Sequence, residues 1–207
     1  MGLLNLLLKN PIAFLLIAIP LLYSIILHEL AHGWVAYRLG DPTAQRLGRL
    51  SLNPLKHLDP VGTIMLFLFG FGWAKPVPVN FNQLHDRHKA MIMVSAAGIV
   101  TNMLLAFAAM LLDRLLNPSP SSLASALFRY MAQINIILAA FNLIPLPPLD
   151  GSKILMGFVS PKVQNFMFRI EPYGFFIIIG LLYIGALSPV IAFFKWMILT
   201  LINFILP

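Results

Sequence analysis

The chain is built from long apolar runs separated by short cationic or proline-rich stretches. In hydrocarbon no water satisfies a backbone N–H or C=O, so a run long enough to cross a bilayer must close its own hydrogen bonds as a helix. Only 10% of the residues are charged and 59% are hydrophobic, against about 25% charge in a soluble domain. We therefore expect an all-α polytopic membrane protein with no room for a large soluble domain. Five spans are expected, at about 12–39, 90–112, 123–147, 171–187 and 190–206. Residues 3–8 are too short to span and read as a retained interfacial lead-in. The apolar stretch from Val61 to Trp73 is also short for a crossing, which needs roughly 20 residues. It leads through glycines into Ala74-Lys75-Pro76-Val77-Pro78-Val79-Asn80-Phe81, where alternating proline and valine favour extended backbone. We read 61–82 as a re-entrant extended hairpin and the whole chain, 1–207, as a single membrane-embedded domain.

Charge sets the orientation. The net charge of +7 does not point to nucleic acid, because the cations lie in loops between apolar segments. Loops 38–60, 75–89 and 153–169 hold most of the Lys and Arg, so the positive-inside rule makes them cytoplasmic. That leaves the N-terminus outside and the C-terminus in the cytosol. The chain has no cysteine, which excludes disulfides, a thiolate metal site and a cysteine nucleophile.

One span carries an unusual load of ionisable groups, His28-Glu29-Leu30-Ala31-His32. Residues four apart on a helix share a face, so His28 and His32 can offer two imidazoles to one metal ion. Glu29 lies on a neighbouring bearing, where it can serve as general base without ligating. Ionisable groups at membrane depth persist where they have partners and a role. Catalytic zinc commonly takes three protein ligands, and seven acids are available. Asp113 falls on the opposite side. Asp41, Asp59 and Asp86 flank polar loops and read as solvated. Asp150 follows a proline-broken segment returning to the depth of the histidines and is the expected third ligand. His57, His85 and His88 read as loop histidines. Asn102 and Asn142, amides inside apolar spans, either satisfy a neighbouring helix or touch the substrate and its oxyanion. The valines of the extended stretch, Val77 and Val79, are candidates for a substrate-binding edge.

These motifs resemble those of the site-2 proteases, the zinc intramembrane metalloproteases. His28-Glu29-Leu30-Ala31-His32 resembles their active-site helix. Asn142-Leu143-Ile144-Pro145-Leu146-Pro147-Pro148-Leu149-Asp150-Gly151 resembles their N-x-x-P-x-P-x-L-D-G signature. The loop Gly48–Pro54 and the stretch Gly72–Asn80 look like the compact bacterial and archaeal branch without PDZ or CBS domains. The family's A-G-P-x-x-N has isoleucine for proline here, Ala97-Gly98-Ile99-Val100-Thr101-Asn102. The resemblance implies one Zn2+ per chain, a prokaryotic inner-membrane location, and cleavage of transmembrane protein substrates in regulated intramembrane proteolysis. A substrate helix buries its carbonyls in i→i−4 bonds and must unwind to be cut, and an edge at Val77–Phe81 could supply substitute partners by β-augmentation. The rival reading is a metal transporter or non-proteolytic metal-binding membrane protein. Glu29 argues against it, since transport needs ligands but no base, as does the lack of further His, Asp or Glu in the last two spans beyond Glu171 at an edge.

Overall fold

The computed structural model describes residues 3–69, 72–84 and 86–206. Its elements are helices joined by turns, and the described residues contain no strand. Helix α1 (Leu3–Lys9) is followed at Asn10 by α2 (Pro11–Arg38). Asn10 accepts a hydrogen bond from the backbone N–H of Ala13, and Pro11 occupies the first turn, where its missing N–H leaves nothing unsatisfied. A short α3 (Thr43–Arg46) follows, then α4 (Pro60–Phe69). Helix α5 (Arg87–Leu116) begins at Asp86, whose carboxylate accepts from the Lys89 N–H, and ends at Asn117 with φ +40°. Asparagine tolerates that left-handed conformation better than most side chains. Ser122 caps α6 (Leu123–Asn142) through the Ser125 N–H. Then come α7 (Asp150–Met156), α8 (Pro161–Ile170), α9 (Gly174–Tyr183) and α10 (Ser188–Ile205).

Among the described residues, five helical stretches are long and apolar enough to cross a membrane: Pro11–Arg38, Arg87–Leu116, Leu123–Asn142, Pro161–Tyr183 and Ser188–Ile205. The number expected from sequence stands, and two boundaries move by five residues or more. The third helix stops at Asn142 rather than 147, because Pro145, Pro147 and Pro148 lack the N–H a helix needs. The fourth stretch starts at Pro161 rather than 171, since α8 runs through a 3-10 turn at Glu171–Tyr173 into α9. Residues 152–170, expected as a loop with a short helix, carry two helices, the rest of α7 and all of α8.

At the centre, α5 packs against α2 and α6. Their shared surface is made of small residues, with Gly98, Ala106 and Ala109 on α5 and Ala132, Ala139 and Ala140 on α6. Small residues let helices approach closely where lipid supplies no hydrophobic drive between them. Ile198 and Ile202 of α10 close the cluster from the α6 side.

The stretch read as an extended hairpin has one helical limb, α4, and one extended limb, 72–80. A lone antiparallel bridge joins Leu58 to Ala74, so the chain comes back to where it left. The Lys75 N–H donates to the His57 carbonyl at 2.8 Å, and Arg49 Nη2 donates to the Lys75 carbonyl at 2.7 Å. His57 and Asp41, expected as solvated loop groups, are buried to 1% and 0% exposure. Asp41 Oδ2 accepts from the Asn80 N–H at 2.6 Å, while Oδ1 accepts from the N–H and hydroxyl of Thr43. The carboxylate thus ties the end of the extended limb to the end of α2. Asp59 is likewise a helix cap, its Oδ1 accepting from the Gly62 N–H at 2.8 Å.

Candidate metal centre

Helix α2 brings His28 and His32 to its buried face, with side chains about one-tenth exposed or less. Asp150 arrives from α7, whose first turn presses onto the end of α6. A Cβ on Gly151 would sit 2.3 Å from the Leu143 carbonyl oxygen, so the residue after Asp150 has to be glycine for that approach. Asp150 Oδ2 lies 3.2 Å from His28 Nε2 and 3.2 Å from His32 Nε2. The two Nε2 atoms are 3.0 Å apart. Among the described residues, these three form the group of His, Asp and Glu side chains able to hold a metal ion.

The outer ring nitrogens decide what the inner ones can do. His32 Nδ1 is 2.7 Å from the Val94 carbonyl oxygen, which can only accept, so Nδ1 carries the proton. His28 Nδ1 is 2.7 Å from Asn102 Oδ1. Asn102 Nδ2 donates to Asn135 Oδ1 at 3.2 Å, and Asn135 Nδ2 donates to the Met131 carbonyl and to Ser24 Oγ, each at 2.8 Å. The Met131 carbonyl fixes which way the Asn135 amide faces, and Asn135 fixes Asn102. His28 Nδ1 must then donate. Both Nε2 atoms are left with lone pairs aimed at each other and at a carboxylate, with no proton between them. Asp150 Oδ2 is buried without a hydrogen-bond partner, and leaving an acceptor so costs about 1–3 kcal/mol.

Two lone pairs and an unpartnered carboxylate oxygen converging in a buried pocket fit a divalent cation. The spacing suits zinc, since a tetrahedral site with bonds of about 2.0 Å separates its ligands by about 3.3 Å. Helix α5 leaves room for it through Gly98, where a Cβ would stand 2.5 Å from both His28 Cε1 and His32 Nε2.

Glu29, beside the histidines, accepts a 2.7 Å hydrogen bond on Oε2 from the Val77 N–H. The extended limb therefore lies directly against the catalytic candidate. Val77 is buried, and Val79 packs beside Ala36 and Val94. Asn102 is fully buried and faces His28, taking the helix-satisfying alternative left open by the sequence. Asn142 donates its amide back to the Leu138 carbonyl of its own helix. His88 is exposed, 3.3 Å from the Gly157 carbonyl, and His85 lies outside the described residues. The sequence reading missed Asn135 and Ser24. The available signal was a further amide, Asn135, inside an apolar helix next to the one bearing Asn102.

The family model described as "Peptidase family M50" matches residues 113–184, which include Asp150 but not the α2 histidines. Much more of the chain aligns with curated proteins classed by name as zinc metalloproteases. YwhC of Bacillus subtilis (strain 168) is 44% identical over 172 residues, covering 80% of this chain and 78% of that protein. Rip2 of Mycolicibacterium smegmatis is 30% identical over 183 residues, covering 84% and 69%. MJ0611 of the archaeon Methanocaldococcus jannaschii is 28% identical over 144 residues, covering 70% and 71%. No solved structure matches the chain.

Proposed function

Because the chain belongs to peptidase family M50, the site-2 zinc metalloproteases, we propose that it hydrolyses peptide bonds within or beside transmembrane segments of other membrane proteins, working as one membrane-embedded domain. In this reading His28, His32 and Asp150 are the zinc ligands and Glu29 is the general base. Zinc held there supplies a Lewis acid and lowers the pKa of water at the site. The Glu29 carboxylate takes a proton from water and returns it to the departing amide nitrogen. Asn102 and the Val94 carbonyl hold the two imidazoles in the tautomer that leaves Nε2 free.

The observation that carries the reading is the burial of the triad beside the middle of α2. His28 lies ten residues before the end of α2 at Arg38, about 15 Å along a helix axis, and the triad is buried among helices of membrane length. A soluble peptide has no reason to be met there, whereas an unwound transmembrane segment does. The Val77 N–H occupies one oxygen of the Glu29 carboxylate, Oε2, and in this reading the other oxygen is the one that meets water. The cation-rich loops support a cytoplasmic site-side and C-terminus, an outside N-terminus and, with bacterial and archaeal relatives, a prokaryotic inner membrane.

The test is reconstitution of the zinc-loaded protein with a reporter carrying one transmembrane helix, beside the same sequence as a free peptide. Cleavage of the membrane-inserted reporter, abolished by chelation and by Glu29→Gln, is expected. Cleavage of the free peptide alone would overturn the intramembrane reading while leaving the zinc protease intact.

A further inference from the structure

A cleft of about 360 Å³ opens between the end of α2 and the start of α5. Its walls join two chemistries. Arg38 and Lys89, both exposed, stand at the rim, and Leu39, Leu84 and Met93 add apolar lining. From this juxtaposition we infer that the cleft binds the phosphate of an anionic phospholipid, with an acyl chain lying along α5.

The position in the membrane is read from the side chains around it. Arg38 is the last residue of α2, and its guanidinium lies 5.3 Å from the ring centroid of Trp34, one turn earlier. Trp34 is 46% exposed. A half-exposed tryptophan beside a terminal arginine marks the level where headgroups meet hydrocarbon. Below the rim, Met93, Val100 and Leu104 form an exposed apolar ridge on α5, the path an acyl chain would follow from a headgroup in the cleft.

The charges suit a phosphodiester. No carboxylate pairs with Arg38 among the described residues, and its planar fork matches phosphate oxygens. Lys89 reaches Asp86 at 3.6 Å, but its side chain is 80% exposed and can turn to a phosphate. Asp86 is engaged by the Lys89 backbone N–H, which holds its carboxyl below the usual range. That carboxylate serves the start of α5 and leaves the rim cationic on balance. The cleft also touches the metal centre through its framework: α5 carries the Val94 carbonyl that orients His32, and His32 precedes Arg38 by six residues, about 9 Å of helix.

The experiment is native mass spectrometry of the zinc-loaded full chain released from mixed phosphatidylglycerol and phosphatidylcholine bilayers. Wild type is compared with Arg38→Gln, Lys89→Gln, the double variant and Arg46→Gln, an equal charge change elsewhere. Zinc content, expected unchanged, reports the fold. Phosphatidylglycerol should be retained in preference to phosphatidylcholine. Each cleft variant should weaken that retention about fivefold and the double variant about 25-fold, from roughly 1 kcal/mol per cation near an anionic surface. Arg46→Gln should match wild type, and excess inorganic phosphate should not displace the lipid. Equal retention of both lipids, an unaffected double variant, or displacement by inorganic phosphate would each overturn the proposal.

Discussion

Glu29 accepts a hydrogen bond from a backbone amide and is proposed to act through proton acceptance, so Glu29→Gln isolates that one role. Glutamine keeps the shape but cannot take the proton. Zinc content should stay at wild-type level while hydrolysis falls by at least about 100-fold. A variant that cleaves at near-normal rate would remove Glu29 as the base. The amide relay behind His28 makes a different prediction, read in metal affinity alone. Losing an outer partner of a metal-bound histidine typically weakens binding about 10–100-fold. Asn135→Ala and Asn102→Leu should do so in a chelator competition, whereas Asn102→Asp, which still accepts from His28 Nδ1, should bind more tightly than Asn102→Leu. Equal affinity in all three would reduce the relay to packing. Gly98→Ala tests the same space from the other side. Its Cβ has 2.5 Å to the imidazoles, less than any real carbon contact, so zinc should be lost while helical circular dichroism persists. Retention of zinc would mean that α5 can back away.

At the scale of elements, the extended limb 72–80 keeps one open backbone donor beside the site. Extended backbone turns alternate residues to opposite edges, so the amides of Lys75, Val77 and Val79 share one edge. Lys75 donates to His57 and Val77 to Glu29, while the Val79 N–H has no partner among the described residues. Pro76 and Pro78 remove two donors from the other edge, where the Asn80 N–H is already given to Asp41. Val79→Pro removes the open donor and should slow cleavage of a transmembrane reporter strongly with zinc content unchanged. Val79→Ala should do much less, and equal rates for Val79→Pro and wild type would leave the limb a connector. This limb also shows what was legible. Alternating proline and valine announced extended chain, and HExxH with Asp150 announced a metal site, because those signals are local. Asp41 and His57 were misjudged because their burial depends on partners 39 and 18 residues away, Asn80 and Lys75. The helical first limb was missed because nine mostly apolar residues between Pro60 and Gly70 fit helix and strand alike.

At the scale of the whole molecule, the five long helices admit two topologies, and α4 decides between them. If α4 crosses, the loops before and after it face opposite sides, and the positive-inside pattern of the chain fails. Its ten residues rise about 15 Å, half of a hydrocarbon core of about 30 Å. The bridge from Leu58 to Ala74 and the bond from the Lys75 N–H to the His57 carbonyl then return the chain to its starting level. A segment whose two flanks pair with each other has no second surface to reach. We therefore expect α4 and the extended limb to enter and leave by one face, the face that also holds the cationic ends of α2 and α5. The cysteine-free chain makes this directly testable. Single cysteines at Asn53 and Gln83, both exposed, should react with a membrane-impermeant maleimide from the same side, the cytosolic one. A cysteine at Ser121, in the α5–α6 turn, should react from the other. Opposite sidedness of Asn53 and Gln83 would make α4 a crossing and would invert every helix after it.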